Sequence, residues 1–200
     1  PGTSAEQVSF YEQHRQRVRQ RLTPGRMTPE HYAQLIIGMH EYNLVGEPPV
    51  TLLHKSAIAR VGLFDALMIH MVDAEYWSRI AVHFGLVFVD QALCTFRVHR
   101  ASTSSENANR RQYSMTALDP VILNYKFLFD PMFRPLREPS GSPSDLLALR
   151  RRLRRVCRGA RATALAQARL GNGLPLQEWQ ALTGHLPLVK RLSHPLGLIL

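Results

Sequence analysis

Between Asn43 and Gly85 the chain is broken so often by glycine and proline that it can form only short elements, each with its ends fixed. The segment reads "NLVGEPPVTLLHKSAIARVGLFDALMIHMVDAEYWSRIAVHFG". In "VGEPP" a helix is forbidden, because proline disfavours helical geometry in the residue before it and lacks a donor of its own. "VTLLH" (50–54) then reads as a short strand. "KSAIARVG" reads as a brief helix, with Ser56 as its cap and Gly62 at the left-handed stop. Asp73 to Phe84 reads as an amphipathic helix with Trp77, Ile80, Ala81 and Phe84 on one face, ended by Gly85. Such dense local specification exceeds what a stable core needs and points to a site.

The flanks are more helical. Ser4 with Gln7 forms a capping-box pattern, and Val8, Tyr11, Arg15, Val18 and Leu22 predict a helix to about Leu22. "TPGRMTPE" reads as a turn. Thr28 as cap and Pro29 at the first helical position open a second helix, with Tyr32, Leu35, Ile36 and Met39 as its apolar face. "LVFVD" (86–90) and "LCTFRVH" (93–99) have strand composition. Residues 101–111 read as polar loop, "DPVILNYKFLFDPMF" as helix and "RPLREPSGSPSD" as linker. Asp145 then caps an amphipathic helix carrying Leu146, Leu149, Leu153, Val156 and Ala160. The tail is apolar with proline breaks. The chain thus divides into three segments: helical 1–42, the punctuated 43–105, and a mostly helical basic 106–200.

Composition bounds the class. At 45% hydrophobic and 20% charged, the chain is that of a globular protein. Two cysteines give neither a disulfide framework nor metal-ligand spacing, which fits a reducing compartment. No apolar run is long enough to cross a bilayer, and no signal peptide is evident. The chain opens "PGTS" without methionine, as a processed, truncated or excised segment would. The net charge of +10 is almost all arginine, in "HRQRVRQR" and "RRRLRRVCRGAR", outside the punctuated segment.

Three positions there carry chemistry. Asp73 lies four residues before Trp77 and on the same helix face, where the helix dipole favours its ionised form at neutral pH. It suits a general base taking a proton from a hydroxyl, or a plain helix cap. In "LCTFRVH", alternation turns Cys94, Phe96 and Val98 to the core and sets Thr95, Arg97 and His99 on the opposite face. Arg97 and His99 suit a phosphate or a divalent metal, or an ordinary solvated face. Glu47, on a turn before a strand, can accept hydrogen bonds from a polyhydroxylated ligand or stitch its own turn.

In order and spacing, "NLVGEPPVTLLHKSAIARVGLFD", "VDAEYWSRIAVHFG" and "LVFVDQALCTFRVHRASTS" resemble the C-terminal half of family 2 glycosyltransferases, over about Tyr42 to Ser105. The pattern there is Asn-x-x-Gly-Glu-Pro, a strand, a short helix ending in Gly-x-Phe-Asp, an acidic helix start, a glycine-ended turn and Arg-x-His. The resemblance implies a partial GT-A-like α/β fold. Its small mixed or antiparallel sheet would come from 50–54, 86–90 and 93–99, with flanking helices and a helical C-terminal extension. It implies a nucleotide-diphosphate sugar as donor and a divalent metal, Mg2+ or Mn2+. By position, Asp73 matches the base that deprotonates the acceptor hydroxyl. His99 matches the histidine near the metal and the donor diphosphate, with Arg97 beside it. Asn43 and Glu47 match the acceptor-side loop, and Trp77 an aromatic that packs the acidic helix and sometimes lines the acceptor pocket. Val72 departs from the pattern where an acid often precedes the base, and Glu75 stands where many relatives have aspartate. No Asp-x-Asp occurs, and nothing before Asn43 reads as a doubly wound sheet, so the nucleotide-binding half is absent from these residues. The expectation is a transferase fragment, inactive alone, or a chain whose donor half a separate chain supplies. A bacterial surface polysaccharide or glycolipid is the implied product, with a sugar or lipid-linked acceptor.

Arg150, Arg151, Arg152, Arg154, Arg155, Arg158 and Arg161 decorate a helix whose other face is rich in leucine. It can lie on an anionic membrane with its stripe buried and Arg150, Arg151, Arg154, Arg155 and Arg158 among the headgroups, or pack that stripe on the domain. The expected location is the cytoplasm, or the inner face of the membrane. A non-catalytic basic module for anionic membranes or RNA is the alternative. Nucleic acid ranks low, since no aromatic stacking platform accompanies the arginines.

Overall fold

The computed structural model describes residues 5–39, 43–95, 103–138 and 143–194. In chain order its elements are α1 (Ala5–Arg19), β1 (Gly25–Met27), α2 (Pro29–Met39), α3 (Lys55–Val61), α4 (Val72–Phe84), β2 (Leu86–Phe88), α5 (Thr103–Arg110), α6 (Asp119–Phe129), α7 (Pro143–Arg169), α8 (Leu174–His185) and α9 (Pro187–Leu192). The protein is dominated by helices, with one small antiparallel sheet of two strands among the described residues.

That sheet is not the expected one. β2 falls where "LVFVD" predicts a strand, but its partner is β1, inside the segment read as a turn, with Arg26 opposite Val87. Gly85 makes this pairing possible. Its φ is +71°, and a Cβ there would stand 2.3 Å from the Met27 carbonyl oxygen. The 50–54 strand does not form. Pro48–Val50 is a single 3-10 turn, closed by the Val50 N–H on Glu47 O and the Thr51 N–H on Pro48 O. Both prolines sit at its start, where a missing N–H leaves nothing unpaired. Thr51 and His54 keep extended torsions, but residues 51–54 pair with no strand among the described residues. Residues 93–95 form no strand either, and Cys94 is exposed rather than turned to the core.

Other local readings hold or shift by small amounts. α2 starts at Pro29, with the His31 N–H donating to Thr28 Oγ1 at 3.3 Å. α1 ends at Arg19, short of Leu22; Ser4 lies outside the described residues. α3 is capped by His54, whose ring accepts from the Ser56 N–H, and not by Ser56 itself. Gly62, at φ +81°, stops it as expected. Residues 103–110 are helix where loop was expected. α7 begins two residues before Asp145, which lies within its first turn rather than capping it.

One core joins α2, α4, α6, α7, α8 and α9 and takes in residues of all three sequence segments. α4 is buried nearly all round, from Ala74 to Val82, with only Phe84 of its expected apolar face left exposed. The Tyr32 hydroxyl meets Ser78 Oγ at 3.0 Å and ties α2 to α4; burial pushes that phenol up to about 12. Leu149, Leu153, Cys157, Ala160 and Ala164 recur on one face of α7 and are all buried in this core. The α7 stripe is therefore committed to the protein interior and is not free to enter a bilayer. No helix among the described residues is long and apolar enough to cross a membrane. A second, smaller cluster of Ala57, Val61, Tyr76, Trp77 and Ile80 fixes α3 against the start of α4. On it rests the segment that carries the candidate site.

Candidate functional site

The turn Asn43–Gly46 is built by one side chain. Asn43 Oδ1 accepts the N–H groups of Val45 and Gly46 at 3.2 and 2.9 Å, and its Nδ2 donates to the Gly46 carbonyl at 2.9 Å. Gly46 has φ +105°, and a Cβ there would lie 3.0 Å from Val50 Cγ2, so the turn takes glycine for both conformation and space. From α4, thirty residues on, two further groups reach this turn. Trp77 Nε1 donates to the Gly46 carbonyl at 2.9 Å, and Asn43 Nδ2 also donates to Asp73 Oδ2 at 3.2 Å. Asn43, Glu47, Asp73 and Trp77, all expected at the acceptor side, are thus drawn together around one peptide.

Asp73 is half-buried. Its Oδ1 accepts the Ala74 N–H at 2.7 Å. The helix dipole alone would depress its carboxyl. Instead burial pushes Asp73 above its ordinary value, outweighing the N–H of Ala74, the charge of His70 and its own N–H. Glu47 is raised as well, first by burial and then by the charge of Asp73, with His70 opposing. Two carboxyls and an imidazole therefore share one electrostatic neighbourhood. Its inner wall is apolar: Trp77 is 5% exposed and sits in the smaller cluster. Trp77 reaches the site through its N–H on Gly46, not through an open ring face. Phe64 stacks on Tyr76 at 4.2 Å between centroids and edges Trp77 at 6.0 Å.

A buried ionic network braces the outer side. Glu75, fully buried, accepts from Arg79 Nη2 at 2.9 Å and lies 2.7 Å from Lys126 Nζ. Lys126 also meets Asp65 at 2.7 Å, and Arg79 donates to the carbonyls of Val61 and Leu63. Burial works upward on Asp65, but the Lys126 hydrogen bond, the Leu67 N–H and the charges of Lys126 and Arg79 together hold its carboxyl below the ordinary value. The "GLFD" segment is pinned at each end: Gly62 closes α3, and Asp65 is held by α6. Glu75, which departs from the family pattern, is the centre of this network.

Arg97 and His99 lie outside the described residues. Among the described residues no group of three His, Cys, Asp or Glu side chains could hold a metal ion. Glu47, His70 and Asp73 do not form a metal cradle, so none of them is given a ligand role. A hollow of 330 Å3 between α7, α8 and α9 is lined by Arg161, Leu165, Trp179, Thr183 and Lys190, among others, and by no residue of the Asp73 neighbourhood.

Sequence reasoning missed His70 and Asp119. Asp119, at the start of α6, is fully buried and accepts the backbone N–H groups of Ile69, His70 and Met71. Its partners stand 48 to 50 residues away, beyond any local pattern. His70 sits in a run without periodicity, and only its neighbours in space mark it out.

Compared with protein-family models, curated proteins and solved structures, the chain matches none. The functional reading therefore rests on the residues and their arrangement.

Proposed function

We propose that this chain supplies the acceptor-side part of a nucleotide-sugar-dependent glycosyltransferase of the family 2, GT-A type, with Asp73 as general base. One observation carries the reading. Asn43 and Gly46 of the loop and Asp73 and Trp77 of the acidic helix, two separate elements of the sequence pattern, meet through the Asn43 amide and the Gly46 carbonyl, with Glu47 alongside. The chemistry fits the residues. A carboxyl raised by burial is a stronger base than an exposed one. Oδ1 accepts from Ala74 and Oδ2 from Asn43, and a carboxylate of about four lone-pair sites keeps acceptor capacity beyond these. The acceptor hydroxyl would give its proton to Asp73 as its oxygen bonds to the anomeric carbon. The bond from that carbon to the leaving phosphate oxygen breaks, and the electron pair departs with the nucleoside diphosphate. Glu47 would accept hydrogen bonds from the acceptor's other hydroxyls. The donor, its divalent metal and the roles of Arg97 and His99 belong to parts of the enzyme that the described residues do not include.

Arg150, Arg151, Arg155 and Arg158 are exposed on α7. With the leucine stripe in the core, they would meet an anionic membrane carrying a lipid-linked acceptor by charge alone.

The test is transfer of labelled sugar from nucleotide-diphosphate donors to saccharide acceptors, by this chain together with a donor-binding half, whether on the same polypeptide or on a separate one. Asp73→Asn lowers kcat by about 10²–10⁴ while circular dichroism stays unchanged. Turnover within tenfold of wild type would remove Asp73 as base, and with it the reading.

A further inference from the structure

We propose that Asp119 is a positioning residue for the acceptor site. Its carboxylate grips the turn that launches α4 and thereby sets where Asp73 and His70 stand. This rests on the glycosyltransferase reading for its meaning but on hydrogen-bond geometry for its substance.

α4 begins without a cap of its own: Met71 occupies the cap position and offers no side-chain hydrogen bond. The exposed donors of a helix start need an acceptor. Asp119 Oδ2 provides one for the Met71 N–H, at 2.8 Å, and also accepts the N–H groups of the two residues before it, His70 at 2.6 Å and Ile69 at 3.1 Å. Oδ1 receives the Ile69 N–H as well, at 3.2 Å. Three successive amides aimed at one carboxylate form an anion nest filled by the protein's own side chain. The carboxylate is fully buried, so water cannot replace it.

The aim of Asp119 has a local cause. Residues 112–129 run as helix, yet Pro120 lies within it and cannot donate. The chain answers with a π turn over Ser114–Leu118, closed by the Asp119 N–H on the Ser114 carbonyl. The extra residue rotates the start of α6, and Asp119 faces the 69–71 turn. Such π turns recur at functional sites.

The gripped turn bears directly on the acceptor neighbourhood. Met71 O accepts the first helical N–H of α4, from Glu75. Asp73 is two residues beyond Met71, and His70 is held by its own N–H. The charge of His70 acts on Glu47, Asp73 and Asp119 alike. A shift of the turn would move the base relative to Asn43 and Glu47 together.

The experiment is heteronuclear NMR of the whole chain, following the amides of 69–71, the Asp73 carboxyl carbon and the Trp77 indole N–H against pH. In the wild type, the amide protons of His70 and Met71 titrate with a carboxyl above the ordinary aspartate range. In Asp119→Asn, the α7–α9 amides stay in place, the 69–71 amides move upfield, the Asp73 midpoint shifts by half a pH unit or more, and the Trp77 indole signal moves. Amides of His70 and Met71 that ignore pH in the wild type overturn the proposal even if the variant does not fold. An unmoved Asp73 midpoint in a folded Asp119→Asn also overturns it. In the transfer assay the same variant lowers kcat at least tenfold with acceptor KM changed less than threefold, whereas an equal loss in every parameter together with a lowered Tm would mark a merely structural role. If NMR shows the coupling but Asp73→Asn retains turnover, the catalytic reading fails and the clamp stands.

Discussion

At the scale of single residues, the site uses two devices: a glycine peptide that gathers donors and carboxyls held above their ordinary range. Trp77→Phe keeps the ring in its cluster but removes the N–H on Gly46, and costs about 0.5–1.5 kcal/mol in chemical denaturation. Trp77→Ala also opens a cavity and costs about 3–5 kcal/mol. A Phe variant as damaging as Ala would mean that the hydrogen bond, not the packing, holds the turn. Glu47 holds its proton more tightly folded than unfolded, because burial and Asp73 both disfavour its charge. Stability at this position therefore falls as pH rises from the ordinary carboxyl value, about 4, through the raised one. Glu47→Gln raises Tm at pH 7 and has no effect well below pH 4; a lower Tm at pH 7 would show Glu47 to be a stabilising stitch of its own turn. A carboxylate kept at a stability cost is what a binding role leads one to expect. Asp73 was legible from its place before Trp77, but the direction of its shift was not. The sequence shows the helix start and its dipole, whereas burial comes from Asn43 and the turn beyond it.

At the scale of elements, glycine and proline carry local conformation and were readable at once. α3 and α4 with their stops at Gly62 and Gly85 follow from them. What could not be read is pairing. "GRM" has no strand pattern, yet it becomes β1 because Gly85 lets β2 approach it closely. "VTLLH" has the pattern but no partner among the described residues. Gly85→Ala meets the Met27 carbonyl as well as a positive φ, and costs more than the roughly 1–3 kcal/mol that such a backbone conformation alone carries. Gly62→Ala, whose Cβ meets only the Arg79 guanidinium at 3.9 Å, stays near that figure. Equal costs would remove the close approach as the reason for Gly85. The ionic network is also invisible to local reading, since Lys126 lies 61 residues from Asp65. Glu75→Gln leaves Arg79 and Lys126 short of a buried countercharge and costs about 3–5 kcal/mol. The Asp65 share is present at neutral pH and fades as pH falls through its lowered value, so acid unfolding of Asp65→Asn begins from lower stability but with a shallower pH slope.

At the scale of the whole molecule, the charge and the site occupy different regions. Arginines concentrate along α7, while the carboxyl neighbourhood lies between the 43–47 turn and α4. Replacing Arg150, Arg151 and Arg155 by Gln weakens co-sedimentation with anionic vesicles by on the order of a hundredfold, and added salt does the same. Tm stays unchanged, because these side chains are exposed and the stripe beneath them is not. Salt-independent binding, or binding to neutral vesicles, would point to apolar insertion and contradict the buried stripe. The acceptor site answers to a different ligand. Chemical-shift mapping of the whole chain with a panel of mono- and oligosaccharides at millimolar concentration addresses it most directly. A binding saccharide is expected to move the Asn43 side-chain amide, the Trp77 indole and the amides of Glu47 and His70, and to leave α7–α9 still. Shifts confined to α7–α9, or none with any saccharide, would contradict an acceptor site at Asp73.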